Sequence, residues 1–347
     1  MQIPHIIEAK IQHNIVLGIQ LFIWYKRGME ESILRWKAFT FTYMAKQDLQ
    51  LPPFKGATLR GSFGLTFKHV VCPTPGTECK ECRLRENCPY FYVFDTPVKE
   101  DSAVMRKYTN APHPFIIEPP EDERTLIGKG ETITFRLILI GHAIEYLPHF
   151  IYTFMRAGEL GIGRGRRHAD LVKVVVDGEN ILNDKKISPF TFETNTLTLH
   201  TQQSKASACY NVHLRLPFPV RIEKNSKLWG SDIEPSFGAM MRNLLRRITL
   251  LAYFHCNGTP QYPFKDILPL LNDVKTKSWD LKAKTIARFS RRQHKKTPLR
   301  GVIGTVNYEH VPEIFIKYLQ VAEDIHVGKN TSFGFGKVIL EEVSMFP

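Results

Sequence analysis

Apolar and polar residues alternate through Phe39, Thr40, Phe41, Thr42 and Tyr43, the signature of a strand with one buried face. Leu51-Pro-Pro-Phe-Lys-Gly breaks that period, and from Thr58 a helical one replaces it, with Leu59, Phe63, Phe67 and Val70 recurring on one side. Residues 132–140 predict a second strand, 146–157 a second helix, and 171–176 a third strand closed by the turn pair Asp177-Gly178. The stretch 179–207 is polar and irregular and is expected to be a linker. The same order then starts again. Residues 212–222 predict a strand. Pro235 opens an amphipathic helix that turns Phe237, Met241, Leu244, Leu245, Ile248 and Leu251 inward and Arg242, Arg246 and Arg247 outward. Residues 302–308 predict a strand, 313–322 a helix and 337–343 the last strand.

Each half therefore runs strand, helix, strands, helix, glycine loop, strand. That order predicts an α+β fold of two tandem ferredoxin-like (RRM-like) domains, at 29–185 and 205–347, with a cysteine-rich insertion at 72–88 in the first. The two glycine loops are the clearest sign of the repeat. One is Gly161-Ile-Gly-Arg-Gly-Arg-Arg-His, the other His326-Val-Gly-Lys-Asn-Thr-Ser-Phe-Gly-Phe-Gly-Lys, and each leads into a β-branched strand. Glycine lets a backbone turn sharply and approach a ligand closely, while free N–H groups and cations suit an anion.

The charge agrees with such a partner. Lys+Arg 47 against Asp+Glu 34 gives a formal charge of +13 and a pI near 9.4, which favours a polyanion such as nucleic acid. A chain of 347 residues, 43% hydrophobic, buries a substantial core and fits about two domains. The apolar run 15–25 is too short to span a bilayer and lacks a signal peptide's cleavage site. Clear strand alternation begins only after Met29, which is expected to be the biological start, with residues 1–28 upstream of it. No membrane partner is expected, and a cytoplasmic location is.

Several of these elements together resemble the CRISPR RNA-processing endoribonucleases of the RAMP superfamily. They are Leu51-Pro-Pro-Phe-Lys-Gly-Ala-Thr-Leu-Arg-Gly-Ser-Phe-Gly, the cysteine cluster, residues 237–247, Arg288-Phe-Ser-Arg-Arg-Gln, Gly301-Val-Ile-Gly-Thr-Val and the second glycine loop. The resemblance implies two ferredoxin-like domains that bind CRISPR repeat RNA, single-stranded or as a hairpin, and cut the precursor into guide RNAs. No DNA partner is expected. Cleavage in that family is attack of the 2′-hydroxyl on the adjacent phosphate, giving a 2′,3′-cyclic phosphate and a free 5′-hydroxyl without a metal ion. Each positioned acid or base contributes roughly 10²–10⁴-fold to such a reaction. A non-cleaving RNA-binding subunit of a CRISPR effector complex is the alternative.

The resemblance directs attention to the helix from Thr58, where family members place a catalytic histidine. His69 lies opposite the Leu59/Phe63/Phe67 face with Lys68 beside it. The family's histidine often stands one turn earlier, where this chain has Leu65. His326, at the head of the second glycine loop, is the rival. Expected RNA contacts are Arg60; Arg164, Arg166 and Arg167 in the first loop, with His168 beside them; Gly328, Lys329, Gly334 and Gly336 in the second; and Arg288, Arg291, Arg292 and Lys295 in the basic run 280–300. His142, His149, His213 and His255 sit in apolar sequence and are expected to be structural. Cys72-x6-Cys79-x2-Cys82-x5-Cys88 gathers thiols at a density that suits a structural zinc, with an iron–sulfur cluster and free thiols as the other readings.

Overall fold

The structure, a computed structural model, describes residues 23–25, 32–98, 105, 111–198, 208–258, 263–290 and 295–346. The expected start at Met29 and the contacts Arg291 and Arg292 lie outside the described residues, as does the side chain of Lys295. In the first domain β1 (Ser32–Ala45) leads to α1 (Gly56–Val71), then to a short helix α2 (Pro89–Asp95) in the cysteine-bearing insertion. There follow β2 (Phe115–Glu118), β3 (Thr132–Ile140), α3 (Leu147–Leu160) and β4 (Ala169–Val176). The strands lie antiparallel in the order β2-β3-β1-β4. Another strand, β5 (Asn195–Thr198), pairs with the start of β1.

The second domain repeats the plan with β6 (Cys209–Val220), α4 (Phe237–His255), β7 (Lys275–Ile286), β8 (Leu299–Pro312), α5 (Ile316–Ile325) and β9 (Ile339–Met345). Its strand order is β7-β8-β6-β9. Both domains are thus ferredoxin-like, as the sequence predicts. Among the described residues no helix is long and apolar enough to cross a membrane.

The two domains stack in layers. Phe39, Phe41 and Tyr43 face α1 and α3, where Phe63, Phe67, Phe150 and Phe154 fill an aromatic core. The opposite face of the same sheet carries Leu34, Trp36, Ile138 and Ile140, and these join one apolar cluster with Leu245, Ile248 and Leu251 of α4 and Val321 of α5. The second domain's helices are therefore buried twice, against their own sheet and against the neighbour's. Apolar burial of this extent, at about 25 cal/mol per Å², makes the domain junction part of the core rather than a hinge.

Three expectations need correction. The polar stretch from Glu179 is no plain linker, because short strands at Glu179–Asn180, Leu182–Asn183 and Phe190–Phe192 precede β5, and Phe190 and Phe192 are buried. Arg247 does not face outward. It is 8% exposed, and its Nε donates to the Ile325 carbonyl at the end of α5. His142 and His213 are only partly buried and bond polar groups, Glu145 and Asn257 in one case, Asn307 and Glu341 in the other. His149 and His255 are buried as expected.

A charged lock joins the domains. Glu118, at the end of β2, accepts hydrogen bonds from Arg136 of β3 at 3.1 and 3.2 Å, from His326 Nε2 at 2.9 Å and from Lys337 at 3.1 Å. Burial alone would raise the Glu118 carboxyl, but the bond from His326 and the charges of Arg136 and Lys337 outweigh it and hold the group far below the usual range. A depressed carboxylate contributes stability that is present above its unfolded value near 4.5 and is lost as pH falls toward the folded one. Acid should therefore drain the stability this lock contributes progressively as pH falls below about 4.5. Glu118→Gln should cost about 3 kcal/mol or more at pH 7 and should flatten the acid limb of a stability-versus-pH curve from chemical denaturation. A variant whose acid limb matches the wild type would remove Glu118 from that role.

Candidate functional site

Helix α1 begins at the domain junction. Leu59, Phe63 and Phe67 bury one face. Its N-terminus has no side-chain cap and no acid in the first turn, so the first N–H groups are left to another partner. The helix ends at Cys72, whose extended backbone precedes Pro73. Along the outer side, His69 is exposed and Leu65, one turn earlier, is 43% exposed. Lys68 is turned toward α2, with Nζ 5.7 Å from the centre of the Tyr90 ring. Arg60 lies two turns before it on the same side, its guanidinium carbon 4.8 Å from the centre of the Phe94 ring. Tyr90 and Phe94 stack on each other, so cations on α1 cover an aromatic stripe on α2.

The second glycine loop is seated on this helix. A Cβ on Gly56 would stand 2.0 Å from the Phe333 carbonyl oxygen. Gly334, with φ of +87°, sits where a Cβ would meet Pro119 Cδ at 2.3 Å. The expectation that Gly328, Gly334 and Gly336 cradle a ligand thus meets another use: each is pressed against backbone or proline of this chain. His326 is likewise a structural group. It is 0% exposed, Nδ1 donates to the Phe335 carbonyl at 2.9 Å, and Nε2 bonds Glu118, so it offers nothing to solvent. Lys329 remains exposed and pairs with Glu223 at 2.8 Å.

The first loop is different. Arg164, Arg166 and Arg167 are exposed, and among the described residues no carboxylate pairs with them. Arg164 N–H donates to the Gln50 carbonyl, tying the loop to the segment that enters α1. His168 is exposed and its Nδ1 donates to the Glu159 carbonyl at 2.6 Å. In the basic run much of the charge is already used: Lys284 pairs with Glu123 at 2.7 Å and Lys282 with Asp280 at 3.7 Å. Among the described residues Arg288 takes part in no ion pair, and its guanidinium carbon lies 4.5 Å from the centre of the Phe333 ring.

All four clustered cysteines line one cavity of about 210 Å³, with Thr74 Oγ1 3.7 Å from Cys82 Sγ. Among the described residues, however, no group of three or more Cys, His, Asp or Glu side chains is placed to hold a metal ion. The zinc expected at Cys72, Cys79, Cys82 and Cys88 finds no support in this arrangement. The wide spacings are the reason: Cys72 caps α1 while Cys88 caps α2, and the two anchor different walls of the cavity.

Three functional positions were not anticipated. Phe333 was read only as part of a glycine loop, although an aromatic inside such a loop has to pack somewhere. His113, pushed down to about 3 by burial and by the charge of Arg60, lies between Phe94 and Phe115. Glu118 closes a Pro-rich stretch that shows no period.

The fold and this junction define a protein of two layered ferredoxin-like domains with unpaired arginines along the seam. Residues 34–199 match the family described as AF_1859_N, an N-terminal domain, and residues 214–338 match the CRISPR-associated endoribonuclease Cas6 family. The match to the Cas6 family lies in the second domain. An uncharacterized protein of Archaeoglobus fulgidus is 25% identical over 250 residues, 62% of this chain and 82% of that protein. Thermus thermophilus Cas6 in a product complex superposes with a TM-score of 0.50, at 17% identity over 88% of this chain and 99% of that one. A partial Cas6-RT-Cas1–Cas2 complex also gives 0.50, at 11% identity, covering 92% of this chain and 47% of the other.

The two small residues on α1 separate seam packing from helix propensity. Gly56→Ala should destabilise by about 1–3 kcal/mol through overpacking against Phe333. Gly61→Ala, with nothing within 4 Å of its new Cβ, should be neutral or stabilise by up to about 1 kcal/mol. Urea denaturation of the pair checks this, and equal effects would mean that the loop does not bear on α1.

Proposed function

We propose that this chain is a metal-independent endoribonuclease that cuts CRISPR precursor RNA within its repeats. The observation that carries the reading is the seating of the second domain's glycine loop on the first turn of α1. It brings Arg60, Arg288 and the open helix N-terminus to one seam and leaves His69 exposed on the same helix. Such a seam suits a phosphodiester, and the match of the second domain to a family of endoribonucleases supports that reading. With RNA in place, the nucleophile is the substrate's own 2′-hydroxyl. A neutral imidazole at His69 accepts its proton as oxygen bonds to phosphorus, and the bond to the 5′-oxygen breaks with return of a proton to that oxygen. Lys68 and Arg60 lower the cost of charge on the phosphorane. His326 has no part in this step, because it is sealed in the interdomain lock.

Cleavage of the cognate repeat should persist in excess EDTA and stop when the 2′-OH at the cut site is replaced by hydrogen. His69→Ala should slow single-turnover cleavage at least about 100-fold, the low end for a lost acid or base, with little change in binding. Intact repeats after prolonged incubation with the wild type would favour the non-cleaving subunit instead.

A further inference from the structure

Arg60 and Arg288 come from different domains and meet at one ring. The guanidinium carbon of Arg60 is 5.0 Å from the centre of Phe333, and that of Arg288 is 4.5 Å from the same centre. Arg60 is further enclosed by Phe94 and lies 5.9 Å from the centre of Phe115, so aromatic rings rather than carboxylates surround it. Its Nε is buried with no hydrogen-bond partner. Neither arginine takes part in an ion pair among the described residues. Two guanidinium groups held against one ring, one of them with a buried and unpartnered Nε, are costly unless an anion completes them.

The rest of the seam adds to the deficit. Gly56 opens α1 beside the Phe333 carbonyl, and the first turn carries neither a side-chain cap nor an acid. Burial first, and then the charge of Arg288, push the Arg60 guanidinium down to about 10, with Asp95 only a smaller opposing influence. Phe333 is 8% exposed, so its faces belong to the arginines and do not offer a base a stacking surface. The missing partner is therefore the anion itself.

We infer that Arg60 and Arg288 clamp a single phosphodiester of the RNA strand at the Phe333 seam, so that bound RNA ties one domain to the other. The inference rests on the RNA-processing reading for the identity of the strand, and on the seam alone for the anion. Arginine suits the task because its planar fork bonds phosphate oxygens in pairs. One phosphate shared by two cations also makes their contributions inseparable.

The test uses the full chain and a repeat RNA made uncleavable by a 2′-deoxy substitution at the cut site. Arg60→Met and Arg288→Met keep the length and apolar contacts of each stem, and their melting curves establish folding. Each should weaken binding and reduce the slope of log K against log salt by about one, and the double variant should reduce it by about one, not two. A neutral methylphosphonate at one particular linkage should weaken wild-type binding and leave both variants unaffected. Additive slopes, or different sensitive linkages for the two arginines, overturn the clamp. Wild-type protein that neither binds nor cuts the repeat overturns the RNA-processing reading instead. The clamp is then judged with sulfate: a rise in wild-type melting temperature that both variants abolish upholds it, and a rise they leave intact overturns it.

Discussion

A buried carboxylate bonded to Arg136, Lys337 and His326 governs how the two domains sit. Glu118 belongs to the first domain, while His326 and Lys337 belong to the second. Arg136 bridges onward to Asp324 of α5 at 2.7 Å, and Trp36 Nε1 reaches the same aspartate at 2.9 Å. Removing any of these from water is unfavourable alone, and the arrangement becomes tolerable only when all are present. The layers of sheet and helix supply the driving force through apolar area. The charged lock then selects one relative position, because a slip of one residue in β2 would leave Glu118 without its partners.

That lock explains why the second glycine loop looks like a ligand cradle yet behaves as a joint. His326 takes a left-handed φ of +59° directly after α5, which turns its ring inward to the Phe335 carbonyl and Glu118. Lys337 follows the loop and returns to the same carboxylate while donating to the Glu323 carbonyl at 2.7 Å. With both ends fixed, the glycines between pack closely on Arg221, Pro119 and Val327. The first loop is packed as closely at Gly161 and Gly163, but its side chains differ. Its Arg164, Arg166 and Arg167 stay in solvent, so two loops of similar sequence have separate uses.

The architecture was legible wherever one face of an element is buried and the other wet. β1, α1, β3, α4 and α5 all show a clean period, and the sequence placed them within a few residues. β2 escaped because four residues, all buried, carry no alternation. β7 escaped for the opposite reason. As an edge strand it is exposed along most of its length, and Trp279, 48% exposed, interrupts a run of lysines that periodicity cannot phase. The site divides in the same way. Arg60, Lys68, His69 and Arg288 are candidates that residue type and resemblance alone suggest, whereas the contacts of Phe333, Glu118 and His326 join residues far apart in sequence.

Net charge gives the last step. An excess of +13 says that the surface attracts anions without saying where. Many cations prove to be spoken for: Arg215 bonds Glu121 and Glu341, Lys277 pairs with Glu309, Lys284 with Glu123 and Lys329 with Glu223. Lys284 and Arg215 even use their acids to fasten the second sheet to the loop after β2. Arg60, Arg164, Arg166, Arg167 and Arg288 have no such partner among the described residues, and they border α1 and the segment entering it. A uniformly basic surface would spread potential evenly. Ion pairs at Arg215, Lys277, Lys284 and Lys329 instead take part of that charge out of play, and a strand of phosphates laid along the arginines that border α1 would neutralise charge that folding left unpaired.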